Sequence, residues 1–579
     1  GREREGHNAF KDTGKIIRFF SDYTGFEYPY KHYTQIAVPE FVFGGMENFT
    51  VTTQTDLTLH DDRATLDGDS NGLVAHEAAH TWFGNVVTAK NWSQAWLHES
   101  FATYFDALYT RESKGENEFR YQLLEDAETY FSEDRLYRRP IVTNIYKEPI
   151  DLFDAHLYPG GAVRLHHLKS IAGEKRFREA LEIFLNRHRY DLVETTDFIR
   201  CLEEVTGRNY DEWLHQWIYR GGYPKLELIF SWDASDKIAT VGIKQTQKAE
   251  KKNEELLFKI SFTLEFYYKN SEERFSVEIK SNQETFCFRL KRKPLFFRID
   301  PDYECPCKVV VLDVSRPMLH EQLKRDPDPI GRLEAAAALT KKPSAEDVKI
   351  LGERLRKEKE WGVATRIARA LGKIGGDRAR DILIRGLKVV DPKVRRGIVS
   401  ALGNFIHDEK AARAIRQCAE RDPSYRVEAV ALQMLGKVKD KDSFTFLESS
   451  ISRPSHNAMA QTAIYNALAD LEDEVSWDYL IRGAEYGAHR NSRQAAMRAL
   501  AKLANRYPSR KGEVIEHLKR FAFEKRGTPA AVFRGKLGAI LAMKELDDIT
   551  AIPVLRQIAD SETDGRMQRR AEETITYLQ

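Results

Sequence analysis

The second half of the sequence repeats a short helical pattern, and this repeat limits the fold more than any other feature of the chain. The segments DPDPIGRLEAAAAL, DPKVRRGIVSALG and DPSYRVEAVALQMLG begin at Asp326, Asp391 and Asp422. Each joins an Asp-Pro helix start to a stripe of Ala, Leu and Val at helical spacing. A two-helix unit of this size cannot bury its apolar face alone, so neighbouring units must stack. We therefore predict a helical solenoid over 317–579. A generic helical bundle is the alternative, because the recurrence is inexact.

The segment from 223 to 316 has a different pattern, in which apolar and polar residues alternate with the period of a half-buried strand. Polar turns such as DASDK and KNSEE separate six such runs, which are KLELIFSW, IATVGIKQT, LFKISFTLEFYYK, FSVEIKS, TFCFRLK and PLFFRID. Short strands joined in this way favour a small antiparallel β-sandwich. Residues 1–222 instead mix strand-like runs such as QIAVPEFVF with long helical patterns. The sequence thus predicts an α+β multidomain protein with boundaries near 222 and 316.

Composition excludes several classes of partner. Lys+Arg 90 against Asp+Glu 88 leaves a net charge of +2, so no overall field attracts nucleic acid. No apolar run approaches the roughly 20 residues that cross a bilayer, and the charged start GREREGHNAF does not resemble a signal peptide. We expect no nucleic acid partner, no membrane span and a cytoplasmic location. Among the five cysteines only Cys305 and Cys307 lie close together, and a single CxC pair is poor zinc spacing, so we interpret all five as structural or incidental.

The stretch NGLVAHEAAHTWFGN carries two histidines four residues apart, His76 and His80, with Glu77 directly after the first. On a helix, positions i and i+4 share a face, so both imidazoles can point at one metal ion. Zinc binds imidazole well and lowers the pKa of its water to about 7, which makes a nucleophile at neutral pH. Glu99 follows after eighteen intervening residues, in a second helix-like segment, and completes the three protein ligands of a catalytic zinc. The sequence predicts one Zn²⁺ per chain at His76, His80 and Glu99. For the HExxH motif alone, a helix with two satisfied histidines is the alternative.

These residues and three further motifs resemble the aminopeptidase N family of zinc metallopeptidases, which includes the leukotriene-hydrolase branch. VAHEAAHTWFGNVVTAKNWSQAWLHESFATYF is similar to its active-site helices, VPEFVFGGMENFTVTTQ to its exopeptidase motif, HLYPGGAVRLHHL to its catalytic-tyrosine segment and WLHQWIYRGGYPKLEL to the exit from its catalytic domain. The resemblance is strong over residues 8–230. It implies a thermolysin-like zinc catalytic domain over 1–222, a β-sandwich over 223–316 and a HEAT-like repeat domain over 317–579.

The resemblance also implies a function and a set of roles. The chain would be a zinc-dependent aminopeptidase that hydrolyses the N-terminal peptide bond of a peptide by a zinc-activated water. Glu77 would act as general base and Tyr158 would donate a hydrogen bond to the oxyanion. The Glu47 carboxylate would pair with the free α-ammonium group of the substrate, which makes the enzyme an exopeptidase. The other members of this substrate-binding motif are Gly44, Gly45, Met46 and Asn48.

The sequence departs from the family pattern in several places. Gly160 stands where the family usually has lysine, and His98 and Ser100 flank Glu99 where Asn and Gly are common. Neighbours on a helix point about 100° apart, so we do not expect His98 to share the role of Glu99. The large N-terminal β domain of the family is also absent from this sequence. We therefore expect either a fragment or a separate N-terminal β domain on a partner chain, and a high KM and low kcat for the chain alone.

Two other functions stay open at this point. A gluzincin endopeptidase would use the same zinc site, although Glu47 argues against it. A non-catalytic or weakly active scaffold would act through the helical-repeat domain, although the complete set of zinc ligands argues against loss of activity. A lipid-epoxide hydrolase, suggested by family analogy, has no specific support in the sequence.

Overall fold

The computed structural model describes residues 2–248 and 256–579. Up to Trp217 the described chain mixes helices with short strands. The helices are α1 (Glu3–Phe10), α2 (Thr13–Thr24), α3 (Asn71–Ala79), α4 (Trp96–Lys114), α5 (Glu116–Asp134), α6 (Pro159–Ala172), α7 (Glu174–Arg187), α8 (Thr195–Thr206) and α9 (Asp211–Trp217). The strands are β1 (Thr34–Val38), β2 (Gly45–Met46), β3 (Val51–Thr55), β4 (Val87–Ala89) and β5 (Asp191–Val193).

Three packed helices bring the sequence motifs of this part together. Helix α4 packs against α3 on one side and against α6 on another. Helix α3 is short and apolar, with Val74, Ala75, Ala78 and Ala79 completely buried. In the neighbouring sheet, β3 pairs with β1 in parallel and with β2 in antiparallel orientation. This arrangement places the HExxH helix between the Glu99 helix and the strand that begins the GGMEN motif.

Seven strands follow in the described residues of the next segment, and they form two sheets. They are β6 (Lys225–Asp233), β7 (Ile238–Gln245), β8 (Ile260–Tyr267), β9 (Glu272–Ile279), β10 (Gln283–Arg289), β11 (Phe296–Ile299) and β12 (Lys308–Leu312). The sheets have the orders β10-β7-β6-β12 and β11-β8-β9. Their apolar faces pack together, since the Phe230 and Phe297 ring centroids lie 4.8 Å apart and those of Phe266 and Phe288 lie 5.3 Å apart. The two sheets therefore form a sandwich.

One pairing in this sandwich differs from the antiparallel arrangement that the alternation predicts. Strand β12 runs parallel to β6, with Lys308 opposite Lys225. The chain reaches β12 from β11, which belongs to the other sheet, and then pairs with the open edge of β6 in the same direction. The prediction of a purely antiparallel sandwich is wrong for this strand.

From Arg316 to the end the structure is helical. Its helices are α10 (Arg316–Arg325), α11 (Pro329–Ala338), α12 (Ala345–Leu355), α13 (Trp361–Ile374), α14 (Gly376–Gly386), α15 (Pro392–Leu402), α16 (Glu409–Arg421), α17 (Tyr425–Val438), α18 (Ser443–Ser450), α19 (Met459–Leu471), α20 (Trp477–Ala484), α21 (Arg490–Arg506), α22 (Lys511–Ala522), α23 (Pro529–Leu546), α24 (Ile552–Ser561) and α25 (Gly565–Leu578). From α11 to α25, each odd-numbered helix packs against the next odd-numbered helix, which is the stacking that the repeat predicts. Within the described ranges, no helix has the length and apolar character needed to cross a membrane.

The starts of the repeat helices vary more than the sequence indicates. The side chain of Asp328 caps α11 by accepting from Ile330 N, and that of Asp391 caps α15 by accepting from Lys393 N. In the DPSYR segment the cap is Ser424, which accepts from the first N–H groups of α17. Asp422 instead accepts two hydrogen bonds from the Arg395 guanidinium, at 2.7 and 2.9 Å. The Asp-Pro pair thus marks each helix start without always supplying the cap.

Within the part of the chain that the structure describes, the buried side chains form two large clusters. One joins the core of the first nine helices to the interior of the sandwich, and the other fills the solenoid. Helix α5 connects them, because its Tyr121 belongs to the solenoid cluster and packs on Trp361, with ring centroids 5.5 Å apart. The solenoid is therefore docked on the helical layer that holds the HExxH motif.

Candidate active site

Helices α3 and α4 bring the three predicted zinc ligands together. His76 lies in the last turn of α3 and His80 is its C-cap residue, still with helical dihedral angles, so the i, i+4 relation holds. The His76 and His80 Nε2 atoms lie 3.2 Å apart, and they lie 3.3 and 3.4 Å from Glu99 Oε2. Four ligands held tetrahedrally about 2.0–2.1 Å from a zinc ion lie about 3.3 Å from one another. The residues present therefore fit a zinc ion with a fourth position open.

The surroundings of the ligands orient them. His80 is 1% exposed and Glu99 is 7% exposed. The Nδ1 atom of His80 lies 3.0 Å from the Phe83 carbonyl oxygen. A proton on Nδ1 donated to that carbonyl leaves the lone pair of Nε2 free for a metal, which is how metal-binding histidines are usually fixed. His98 points elsewhere, because its Nε2 accepts the Ala89 backbone N–H at 2.7 Å.

The ionisable groups of the site shift one another's pKa values. Burial alone would raise the pKa of Glu99, but the two histidines hold it well below its usual range. Burial alone would lower the pKa of His80, but the Glu99 carboxylate raises it to about 10. The pKa of Glu77 rises to about 8, mainly through burial, with the Glu47 and Glu99 carboxylates acting in the same direction and His80 opposing them. The Glu47, Glu77 and Glu99 carboxylates and the two imidazoles thus lie close together, and such a set of donor atoms suits a cation.

The GGMEN motif lies against the other side of Glu77. Strand β2 pairs Gly45 with Gln54 and Met46 with Thr53. A Cβ atom on Gly45 would lie 2.0 Å from Glu77 Oε1, so only glycine lets this strand approach the carboxylate so closely. Carboxylate oxygens of Glu47 and Glu77 and a ring nitrogen of His80 all lie within 4.8 Å of one another.

The remaining motif residues hold the strand in place. The Gly44 carbonyl accepts the Thr55 N–H at 2.9 Å. The Asn48 carboxamide oxygen accepts the Thr53 hydroxyl at 2.8 Å, so its side chain fixes the turn after Glu47. The Glu47 carbonyl accepts the Asn85 side chain at 3.2 Å. The motif is thus anchored at several points, with the Glu47 carboxylate left facing the pocket.

Tyr158 lies at the N-terminus of α6 and closes another side of the pocket. Its ring stacks on His76, with centroids 6.0 Å apart and an interplanar angle of 28°. Burial first, and then the Glu99 carboxylate, raise the pKa of Tyr158 far above its usual value, so it remains a hydroxyl donor. At Gly160, where lysine is the usual family residue, a Cβ atom would lie 2.9 Å from both the Ala155 carbonyl oxygen and the Tyr130 ring. The local packing here leaves no room for a side chain.

Two arginines of the solenoid reach this region, and neither could be predicted from the sequence. Glu40, shortly before the GGMEN motif, pairs with Arg534 of α23 and lies 3.5 Å from the guanidinium of Arg490 of α21. Arg534 also donates to the Phe41 carbonyl. We call Glu40, Arg490 and Arg534 the solenoid latch. No signal in a single sequence points to it, because Arg534 is 494 residues from Glu40.

Comparison with protein families and known proteins was consistent with this arrangement. Residues 8–217 match the peptidase family M1 domain, and residues 316–403, 387–469 and 412–501 match HEAT repeats. The chain is 33% identical over 231 residues to probable aminopeptidase 2 of Sulfurisphaera tokodaii, a stretch that is 39% of this chain and 30% of that protein. It is 30% identical over 224 residues to glutamyl aminopeptidase of Bos taurus, covering 37% of this chain and 23% of that protein. These matches span less than a third of the length of the curated relatives.

A solved structure resembles nearly the whole chain. The crystal structure of Legionella pneumophila aminopeptidase A in complex with aspartic acid has a TM-score of 0.72 to this chain and is 16% identical in sequence. The match covers 98% of this chain and 73% of that one. The two therefore share their overall fold.

Proposed function

This chain belongs to the aminopeptidase N family, peptidase family M1, with a HEAT-repeat C-terminal region, and from that premise we propose that it is a zinc-dependent aminopeptidase that removes residues from peptide N-termini. We further propose a thermolysin-like catalytic domain over 1–222, a sandwich domain over 223–316 and a HEAT-like domain over 317–579. The observation that carries the proposal is the triangle of donor atoms on His76, His80 and Glu99, with sides of 3.2 to 3.4 Å.

The proposed cofactor is one Zn²⁺, held by these three residues. When bound, zinc supplies a Lewis acid that lowers the pKa of a water molecule to about 7 and polarises a carbonyl group. The three protein ligands would keep the metal in a fixed position. The Phe83 carbonyl orients His80, and Glu99 is buried between the two imidazoles.

Glu77 is the proposed general base. Its carboxylate takes the proton of the attacking water and passes it to the leaving amine. Burial, together with the nearby carboxylates and against the opposing effect of His80, raises the pKa of Glu77 above its usual value, and a more basic carboxylate is a stronger proton acceptor. The close approach of Gly45 holds this carboxylate between the metal ligands and the substrate-binding strand.

Tyr158 and Glu47 are proposed to act on the substrate from two sides. The Tyr158 hydroxyl donates to the carbonyl oxygen as it becomes negative, and burial together with Glu99 keeps that hydroxyl protonated. Glu47 pairs with the substrate α-ammonium group, which holds the first peptide bond in register. Gly44, Gly45, Met46 and Asn48 form and support the strand edge along which the substrate residue lies.

Matched substrates test the proposal. We expect the zinc-loaded chain to hydrolyse aminoacyl 4-nitroanilides at least about 10²-fold faster than their N-acetylated counterparts, the equivalent of about 3 kcal/mol, because acetylation removes the ammonium group. Equal hydrolysis of both would favour an endopeptidase. Hydrolysis of neither, with a full complement of zinc, would favour a scaffold.

A further inference from the structure

The loop that carries Tyr158 is held by a group of polar and charged side chains that the proposed mechanism does not use. Asp154 lies at its centre. The Arg139 guanidinium donates to both carboxylate oxygens of Asp154, at 2.7 and 2.8 Å. Tyr137 also donates its hydroxyl to Asp154 and lies 3.0 Å from Glu133 Oε1. We call Asp154, Arg139, Tyr137 and Glu133 the Asp154 cluster.

Glu133 and Asp154 of this cluster accept hydrogen bonds from the backbone N–H groups of residues 155–158. Glu133 accepts the Ala155 N–H at 3.0 Å. The Asp154 carboxylate accepts the next two, from His156 at 2.9 Å and Leu157 at 3.0 Å. The Asp154 carbonyl accepts the N–H of Tyr158 itself at 3.2 Å. A movement of any of these four residues would therefore break a backbone hydrogen bond, which is unfavourable where the backbone is buried.

Arg139 is itself firmly held, so it serves as a fixed anchor. Its remaining N–H groups donate to the carbonyls of Pro140, Ile141 and Leu152, at 2.7, 3.0 and 2.8 Å. Its side chain is 11% exposed and that of Asp154 is 7% exposed. A bidentate arginine–carboxylate pair in this setting fixes direction as well as distance.

The other end of the loop is tied to the metal-ligand helix. Ser100, directly after Glu99, donates its hydroxyl to the Leu157 carbonyl at 2.5 Å. The loop is therefore held between the Asp154 cluster and the Glu99 helix, with the Tyr158 ring on His76. A small displacement of Asp154 would move Tyr158 relative to the ligands.

We propose that Asp154 is a positioning residue for catalysis, which acts through Tyr158 by fixing where its hydroxyl lies relative to the bound substrate. This inference rests on the proposed function. A purely structural role for Asp154 predicts loss of stability or zinc, whereas positioning predicts a loss of kcat that depends on the presence of the Tyr158 hydroxyl. A double-mutant cycle separates the two.

The cycle compares Asp154→Asn, Tyr158→Phe and the double variant in the full zinc-loaded chain. We expect Asp154→Asn to lower kcat by about 10²-fold, as a misplacement of about 1 Å can, with KM changed less than about threefold and zinc content unchanged. Tyr158→Phe should lower kcat by about 10²–10³-fold. In the Tyr158→Phe background, Asp154→Asn should lower kcat by less than about threefold, because the hydroxyl that it positions is gone.

Asp233→Asn is the matched control. Asp233 also accepts backbone N–H groups in a turn, from Ser235 at 2.8 Å and Asp236 at 3.2 Å, but this turn lies in the sandwich. The Asp233→Asn variant should therefore have the same kcat as the parent. If Asp154→Asn does not yield folded, zinc-loaded protein, Tyr137→Phe replaces it in the cycle, since it removes one hydrogen bond to Asp154 and leaves the charge in place.

The outcomes are distinguishable. A full-sized effect of Asp154→Asn, or of Tyr137→Phe, that persists in the Tyr158→Phe background would overturn the positioning role and leave the proposed function intact. Parent-like kcat in Tyr158→Phe would contradict the proposed role of Tyr158 and this inference with it. A kcat effect that disappears in the double variant supports both.

Discussion

At the scale of single residues, the site depends on spacing that a helix sets and on contacts that only the folded chain sets. His76 and His80 are one turn apart, so their common direction follows from the sequence alone. Glu99 was predictable as a downstream carboxylate, but its 3.3 Å approach to His76 depends on the packing of α4 against α3. The position of the Tyr158 side chain could be predicted only from the family resemblance, because the Asp154 cluster, which the folded chain assembles, fixes the loop that carries it.

The role of Glu77 leads to a prediction at this scale. Glu77→Gln should keep about one zinc per chain, since it removes no ligand, and should lower kcat by about 10²–10⁴-fold, the usual contribution of a general base. The matched control is Glu112→Gln, an exposed position on α4, which should keep parent activity. Zinc content and kcat measured on the same samples check this, and a Glu77→Gln variant with parent kcat would remove Glu77 from the mechanism.

At the scale of helices and strands, local patterns predicted most elements and missed those that depend on distant partners. Strand β12 was not among the predicted strands, because the run KVVVL does not alternate and because its partner β6 begins more than 80 residues earlier, at Lys225. The DPSYR segment predicted a helix start correctly but not that Ser424 is the cap. Both differences arise from tertiary contacts that a periodic pattern does not contain.

Helix α6 supplies a prediction about pH. His167 of α6 is buried against Trp217 with ring centroids 4.8 Å apart, and its Nδ1 lies 3.1 Å from the Glu304 carbonyl oxygen. Burial lowers the pKa of His167 to about 4, against an ordinary value of 6.5. The folded state therefore resists protonation, and the stability that neutral His167 contributes is present above pH 6.5 and lost as the pH falls towards 4.

His167→Gln removes this titration and keeps a donor for the carbonyl. We expect the free energy of unfolding of the parent, relative to the variant, to fall by roughly 1–3 kcal/mol between pH 7 and pH 4. Denaturant unfolding at several pH values measures it. His215→Gln on the exposed face of α9 is the control and should show no such trend. A difference between parent and His167→Gln that stays constant with pH contradicts the assignment.

At the scale of the whole molecule, the solenoid contacts the part of the chain that holds the candidate site at widely separated points. Its near end docks on α5 through Trp361, which contacts Tyr121. Its far end holds Glu40 through the solenoid latch, and Arg569 of α25 pairs with Asp151. Stacking of the repeats was predictable from the sequence. The contacts made by the far end of the solenoid were not, since they depend on the curvature that many stacked repeats accumulate.

The solenoid latch leads to a prediction about substrate binding. Replacing Arg490 and Arg534 together by Ala should loosen the segment before Glu47 and raise KM for aminoacyl substrates by about 3- to 10-fold, the equivalent of roughly 0.7–1.4 kcal/mol. The chemical step should change little, because the zinc ligands and Glu77 are untouched. Steady-state kinetics measure both constants. Arg413→Ala, at an exposed position of α16, is the control, and an unchanged KM in the double variant would show that the latch has no part in substrate binding.

The zinc content of the purified chain, measured by elemental analysis after extensive dialysis, tests the central claim most directly. The parent should hold about one zinc per chain, and so should His98→Gln, because His98 Nε2 is engaged by the Ala89 N–H. Glu99→Ala should retain less than about one-tenth of that amount, since it leaves only two protein ligands for the metal. Full zinc in Glu99→Ala, or loss of zinc in His98→Gln, would contradict the assignment of His76, His80 and Glu99 as the metal site.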